Sequence, residues 1–170
     1  GQSKIIPREL YFRMQPFKSW WLYLGHLDKV FGIRNVDHTS YQRRPQGLGQ
    51  YSQSTGFVLH KISDSWEYSW NAFVGNFLAK DQAKEHQGFS LMAEHDLDEK
   101  LRVGGSMLAS QSETNKKQIL ALTYRQGLSK GTGVMAELGM LQDQTSSGAS
   151  ITTNNGTYAF LSSLILLTRW

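Results

Sequence analysis

The chain has 170 residues, 19% of them charged and 12% aromatic, with a net charge of +4. That length suits one domain, 1–170, and modest charge with abundant aromatics excludes a long disordered chain. Sixteen glycines against three prolines suit strands and turns, and the lack of cysteine excludes disulfides, thiolate metal sites and cysteine nucleophiles.

Apolar and polar residues alternate through most of the chain, which is the period of a half-buried strand. The first predicted strand, 8–15, carries Arg13 and ends at the turn Pro16-Phe17-Lys18. The second, 19–28, has apolar groups on both parities, so the facing of His26 stays open. A long polar link, 29–53, precedes the third strand at 54–62, which turns through Ser63-Asp64-Ser65. The fourth, 66–77, is the clearest. Trp66, Tyr68, Trp70 and Ala72 share one face, and Glu67, Ser69 and Asn71 share the other.

After the link 79–87 comes 88–97, where Phe89, Leu91 and Ala93 oppose Ser90 and Glu94. Past Asp98-Glu99-Lys100 lies 101–111, with Leu101, Val103 and Met107 opposed to Arg102, Gly104 and Ser106. A polar link at 111–116 leads to 117–126, where Leu120, Leu122 and Tyr124 oppose Ala121, Thr123 and Arg125. The turn 127–131 enters 132–142, where Val134, Ala136, Leu138 and Met140 oppose Glu137 and Gly139. A last polar link, 143–156, precedes 157–169, which is apolar on both faces near Leu164 to Leu167.

Most of these strands exceed the usual length of about 5–6 residues and match the roughly 9–11 that cross a bilayer when tilted. No apolar run approaches the ~20 residues of a membrane helix. Short turns and longer polar links alternate, as in a barrel with turns on one side of a membrane and loops on the other. On that arrangement Trp20, Trp66, Tyr124 and Trp170 fall near the short-turn side, and Phe57, Phe89 and Tyr158 near the other, the places of two aromatic girdles. Glycines and charges share a face, which implies a polar interior and an apolar exterior. The expectation is an all-β fold, an antiparallel up-and-down transmembrane β-barrel with about 8–10 strands in this chain. Aromatics filling the core of a soluble barrel or sandwich are the alternative.

The final stretch, Tyr158-Ala159-Phe160-Leu161-Ser162-Ser163-Leu164-Ile165-Leu166-Leu167-Thr168-Arg169-Trp170, resembles the terminal strand of Gram-negative outer-membrane β-barrel proteins. In that family a terminal aromatic preceded by alternating apolar residues is recognised by the barrel assembly machinery. Tyr158, Phe160, Leu164, Leu166 and Trp170 match the spacing, while Ser162 and Thr168 depart from it, and Trp stands where Phe is commoner. The resemblance implies a bacterial outer-membrane location, contact with lipid and lipopolysaccharide, and a porin-like passive channel for small polar solutes. A non-conducting structural or partner-binding barrel is the alternative, and a lipid-modifying enzyme a further one. The chain opens Gly1-Gln2-Ser3-Lys4, without initiator Met or signal peptide. Nine strands also leave an odd count. A C-terminal portion of a larger barrel, completed by other chains or by a homo-oligomer, is therefore expected slightly ahead of an eight-stranded barrel.

Arg13, Glu67, Asn71, Glu94, Arg102, Arg125 and Glu137 are the expected inward polar residues. The longest link adds Asp28, Lys29, Arg34, Asp37, His38, Ser40, Arg43 and Arg44. In porins such a loop folds inward and narrows the pore, so Arg34, Arg43 and Arg44 would favour anions; a solvated surface loop, or one binding lipopolysaccharide phosphates, is the other reading. Catalysis is not expected: Ser40 beside His38, and His60 near Ser63, carry no motif, and a triad is defined by geometry. His26, Asp28, Asp37 and His38 lack a metal-site spacing, so neither metal nor cofactor is expected. Gly131-Thr132-Gly133 leads into a strand, not the helix a phosphate loop needs. Scattered basic residues argue against nucleic acid.

Overall fold

The structure, a computed structural model, describes residues 9–33, 48, 52–75, 86–129, 131–148 and 150–165. Within them the chain forms β1 (Leu10–Phe17), β2 (Trp20–Leu27), β3 (Ser54–Ile62), β4 (Trp66–Val74), β5 (Gln87–Asp96), β6 (Leu101–Gln111), β7 (Asn115–Ser129), β8 (Thr132–Ser147) and β9 (Ser150–Ile165). Each strand pairs antiparallel with its chain neighbour, giving one nine-stranded sheet in the order β1 to β9. The all-β, up-and-down expectation holds.

Closure does not. Among the described residues no ladder joins β1 to β9, so the sheet is open. With nine strands alternating in sense, β1 and β9 run the same way, so a direct seam between them would be parallel. β1 and β9 are the two edges of the described sheet, and the odd count is the one that already weighed against a complete barrel in the sequence.

Two expected links are corrected. Residues 143–156 do not form a long loop, because β8 and β9 continue past the rest of the sheet. Thr145 faces Thr152 and Ser147 faces Ser150, with the turn at Gly148 (φ 61°). Similarly, 111–116 closes tightly, with Ser112 N–H donating to Asn115 O at 2.7 Å. Threonine favours extended backbone, and a ladder satisfies its own peptide groups without needing an apolar face. Polarity therefore signalled a loop where strands persist. Tight and long connections do not alternate strictly, although the longest connection, 28–53, and the extended β8–β9 hairpin lie on the same side.

Register places the side chains in rows. One row, Leu22, Leu59, Trp70, Leu91, Met107, Leu120 and Met140, is apolar in every strand from β2 to β8. A parallel row four residues nearer the short turns holds Trp66, His95, Val103, Tyr124, Ala136 and Leu161, beyond an intervening row with Trp20 and Tyr68. Many of these side chains are exposed, including Leu120, Leu122, Leu138, Met140 and Leu161. The opposite face is buried and rich in polar groups: Ser69, Asn71, Ser90, Glu94, Ser106, Thr123 and Glu137. Burial and polarity are thus reversed relative to a water-soluble sheet.

The apolar face also stacks its rings. Trp20 lies on Trp70 (5.7 Å between centroids), Trp70 on Tyr68 (5.8 Å), Tyr68 on Trp66 (5.4 Å) and Trp66 on His95 (4.3 Å). Trp20, Trp66 and Tyr124 are therefore on this outer face toward the short turns, as expected, and Phe57 and Phe89 are on it toward the other end. Tyr158 is not. It shares the buried face with its cross-strand neighbour Gly139, so its place in an outer girdle is a correction. His26, whose facing was open, is buried at the end of β2.

Candidate functional site

The inner face is the chemically rich one, and two centres lie on it. The first is an ion-pair ladder near the short turns. Arg102 on β6 makes a two-pronged contact with Asp96 on β5, at 2.6 Å from Nε and 2.9 Å from Nη2. Its Nη1 reaches Glu67 on β4 at 2.8 Å and Glu94 at 3.4 Å. Arg125 on β7 holds the other oxygen of Glu94 at 2.9 Å. Glu94 is only 2% exposed, so both arginines are needed to hold its charge. Gly104 lies between the two strands in this row, and a Cβ there would sit 2.7 Å from Glu94 Cγ. The missing side chain is what leaves room for the carboxylate.

Cross-strand register explains this meeting. Glu67, Glu94, Gly104, Thr123 and Glu137 form one row, and Asp96, Arg102 and Arg125 form the next. Acids and arginines in adjacent rows of one face are within reach of each other. Glu67, Glu94, Arg102 and Arg125 were all named from the sequence. Asp96 was missed, although it is of the same parity as Glu94.

His60 extends the ladder to β3. Its Nδ1 is 2.7 Å from Ser69 Oγ and its Nε2 lies 3.7 Å from Glu67 Oε1. The order serine, histidine, glutamate invites comparison with a hydrolase triad. Ser69 is buried, however, and sits mid-strand in β4, whose backbone is spent on ladders to β3 and β5. That leaves no pair of N–H groups to stabilise an oxyanion. Glu67 is engaged by Arg102. The trio reads as part of the polar lining, and the sequence pairing of His60 with Ser63 is not formed.

The second centre is where the longest connection returns over the inner face. Val30, Phe31 and Ile33 are buried, as is Leu48 further along. Phe31 and Leu48 pack with Leu108, Ile119 and Ala121, against Leu141 and Tyr158. Val30 packs with Leu27 and Val58. Phe31 keeps only 1% of its surface. The sheet thus offers an apolar window in a polar face, and the connection fills it.

Polar contacts fix the same segment. Gly32 N–H donates to Ser106 Oγ at 3.1 Å, and Ile33 N–H donates to Glu137 Oε2 at 2.6 Å. Gly32 (φ 57°) adopts the left-handed region and lies so close that a Cβ would come 2.4 Å from Glu137 Oε2. Tyr158 O–H donates to the other oxygen, Oε1, at 2.7 Å. Its ring crosses Gly139, where a Cβ would meet the ring at 2.3 Å.

At the root of the connection, Asp28 Oδ1 accepts from Gln53 Nε2 at 2.8 Å, and Lys29 Nζ donates to Ser52 O at 3.1 Å. Lys29 also lies 5.1 Å over the Phe73 ring. Burial pushes the Lys29 ammonium down to about 8, with Lys117 adding to the fall and Asp28 opposing it.

Arg13 shares the inner face on the edge strand β1, with its guanidinium 4.6 Å over Trp21. Arg34, Arg43 and Arg44 lie outside the described residues, as do Asp37, His38 and Ser40. Of the terminal set, Tyr158 and Phe160 are on the row-forming face shared with Glu137 and Gly139, and Leu164 pairs with Gly133. Leu166 and Trp170 lie outside the described residues. Among the described residues there is no cluster of three metal-ligating side chains and no helix long and apolar enough to cross a membrane.

The class defined by fold and site is an up-and-down antiparallel β-sheet protein with an apolar outer face and a charged inner face partly covered by its own longest connection. No protein-family model matches the chain, and no curated protein or solved structure matches it.

Proposed function

We propose that this sheet is the wall of an outer-membrane β-barrel that forms a porin-like passive channel for small polar solutes. One observation carries the reading: exposed leucines and methionines and Trp66 line one face, while Glu94 and Glu137 are buried on the other. Water around the outer face would leave that apolar band unpaid for, whereas hydrocarbon solvates it and a polar lumen solvates the charges. Strand lengths of eight to sixteen residues fit a tilted crossing with water-exposed extensions.

The barrel needs its edges joined. Direct pairing of β1 with β9 makes one parallel seam, and an odd number of further strands, from this or another chain, makes every seam antiparallel. In the lumen, Arg102 and Arg125 balanced by Glu67, Glu94 and Asp96 give a lining of mixed sign that suits polar solutes without strong charge preference. Arg34, Arg43 and Arg44 on the longest connection would add a bias toward anions. Lipid and lipopolysaccharide contact the outer face and rims, and the terminal strand engages the assembly machinery.

The connection itself favours a second reading. Its Phe31 and Leu48 are packed as a plug, which suits a non-conducting barrel that anchors partners through its rims. Planar-bilayer recording of the refolded chain separates the two. Discrete channel steps, larger in Phe31→Ala, support the channel. Absence of steps in both proteins, each shown to be folded by its heat-dependent gel mobility, sinks the channel and leaves the structural barrel.

A further inference from the structure

The geometry points to Glu137 as the positioning residue of the constriction: one carboxylate ties the inward connection to the sheet and to the edge strand β9. The consequence for solute passage rests on the channel reading above, but the latch itself does not. The two oxygens have separate tasks. Oε2 accepts from Ile33 N–H at 2.6 Å, and Oε1 accepts from Tyr158 O–H at 2.7 Å. Both donors are neutral, and Arg125, two positions away on the neighbouring strand, is spent on Glu94 at 2.9 Å. Glu137 is buried, so these bonds are what hold its charge.

The arrangement couples three elements that are far apart in sequence. Gly139 lacks a side chain, so the Tyr158 ring lies across it and brings the hydroxyl to Glu137. With β9 absent or displaced, Oε1 loses its donor and the carboxylate loses the orientation that serves Ile33. The connection is therefore latched only when β9 is seated beside β8. Charge is not the essential property. A glutamine can accept from Ile33 N–H through its carbonyl and donate to Tyr158 Oη through its amide, because a phenol hydroxyl both donates and accepts. The latch is therefore a matter of hydrogen bonds.

The chain has no cysteine, which makes a single introduced thiol a clean reporter. Leu48→Cys puts it on the buried part of the connection, and a membrane-impermeant maleimide measures its exposure in the full chain folded in detergent micelles. Glu137→Ala is expected to raise the labelling rate by about tenfold or more, the factor associated with losing one hydrogen bond to a charged acceptor. Glu137→Gln, which keeps both bonds on a neutral acceptor, is expected to label within a few-fold of the parent and well below Glu137→Ala, and Tyr158→Phe between the parent and Glu137→Ala. A rate within about twofold of the parent in Glu137→Ala overturns the latch; if that variant does not assemble, the same result in Tyr158→Phe does so. Equal rises in Glu137→Ala and Glu137→Gln also overturn it. Faster labelling in a protein that never conducts keeps the latch and sinks the channel.

Discussion

Leu120→Arg tests which solvent the outer face meets. Leu120 is 52% exposed and lies in the row that is apolar in every strand from β2 to β8, with Met107 and Met140 as its cross-strand neighbours. Little protein packs on it, so cavity terms are small and the effect reports on the surroundings. In water, an exposed leucine replaced by arginine changes stability by within about 0.5 kcal/mol. At the middle of a bilayer the same change on a barrel wall costs about 2–4 kcal/mol, falling to ~0–1 near the interface. Gln118 provides the internal control, since it faces the same way one row nearer the rim. The assay is reversible urea unfolding in lipid vesicles, followed by tryptophan fluorescence, for the parent, Leu120→Arg and Gln118→Arg. A loss of about 3 kcal/mol for the first and under about 1 kcal/mol for the second is expected. Equal, small effects at both positions, with Leu120→Arg soluble without detergent, would refute the membrane placement outright.

Three further outcomes follow from the inner face. Arg102→Ala leaves Glu67 and Asp96 without their arginine and Glu94 with Arg125 alone, and should cost about 3 kcal/mol in the same unfolding assay, the low end for a broken buried pair because Arg102 keeps 31% of its surface; no loss would mean that water, not Arg102, holds those charges. Gly139→Ala drives a Cβ into the Tyr158 ring and should cost about 1–3 kcal/mol, with the penalty shrinking in a Tyr158→Ala background, and a fully additive double-mutant cycle would count against the contact. Lys29 is held below its ordinary 10.5, at about 8, so the unfolded chain binds more protons between those values and stability should rise as pH climbs through that window. Lys29→Met should flatten the rise, which denaturation midpoints at pH 7.5 and 10.5 would check.

Alternation made the wall legible because it has only two phases. Once Trp66, Tyr68 and Trp70 were set against Glu67, Ser69 and Asn71, antiparallel register carried the same division into every neighbouring strand. The ladder of Glu67, Glu94, Arg102 and Arg125 follows from that division, because all four lie on the minority, polar phase. Strand ends were less legible, since the serines, threonines and asparagines of 143–156 satisfy either a loop or a ladder and burial does not decide between them. The seat of the long connection was harder still. Nothing local to Val30, Phe31 and Ile33 says what they cover. The signal lay in β7, where Ile119, Leu120, Ala121 and Leu122 are apolar on both phases. On the membrane reading proposed above, the outer phase needs no partner. The inner phase, Ile119 and Ala121, leaves an apolar patch on a face otherwise lined by serine, threonine and glutamate, and such a patch calls for a cover from within the chain. The longest connection provides that cover through Phe31 and Leu48. A break in alternation on the polar phase is therefore as informative as the alternation: it marks where the inner face is closed and where Glu137, one row away, is placed to hold the cover down.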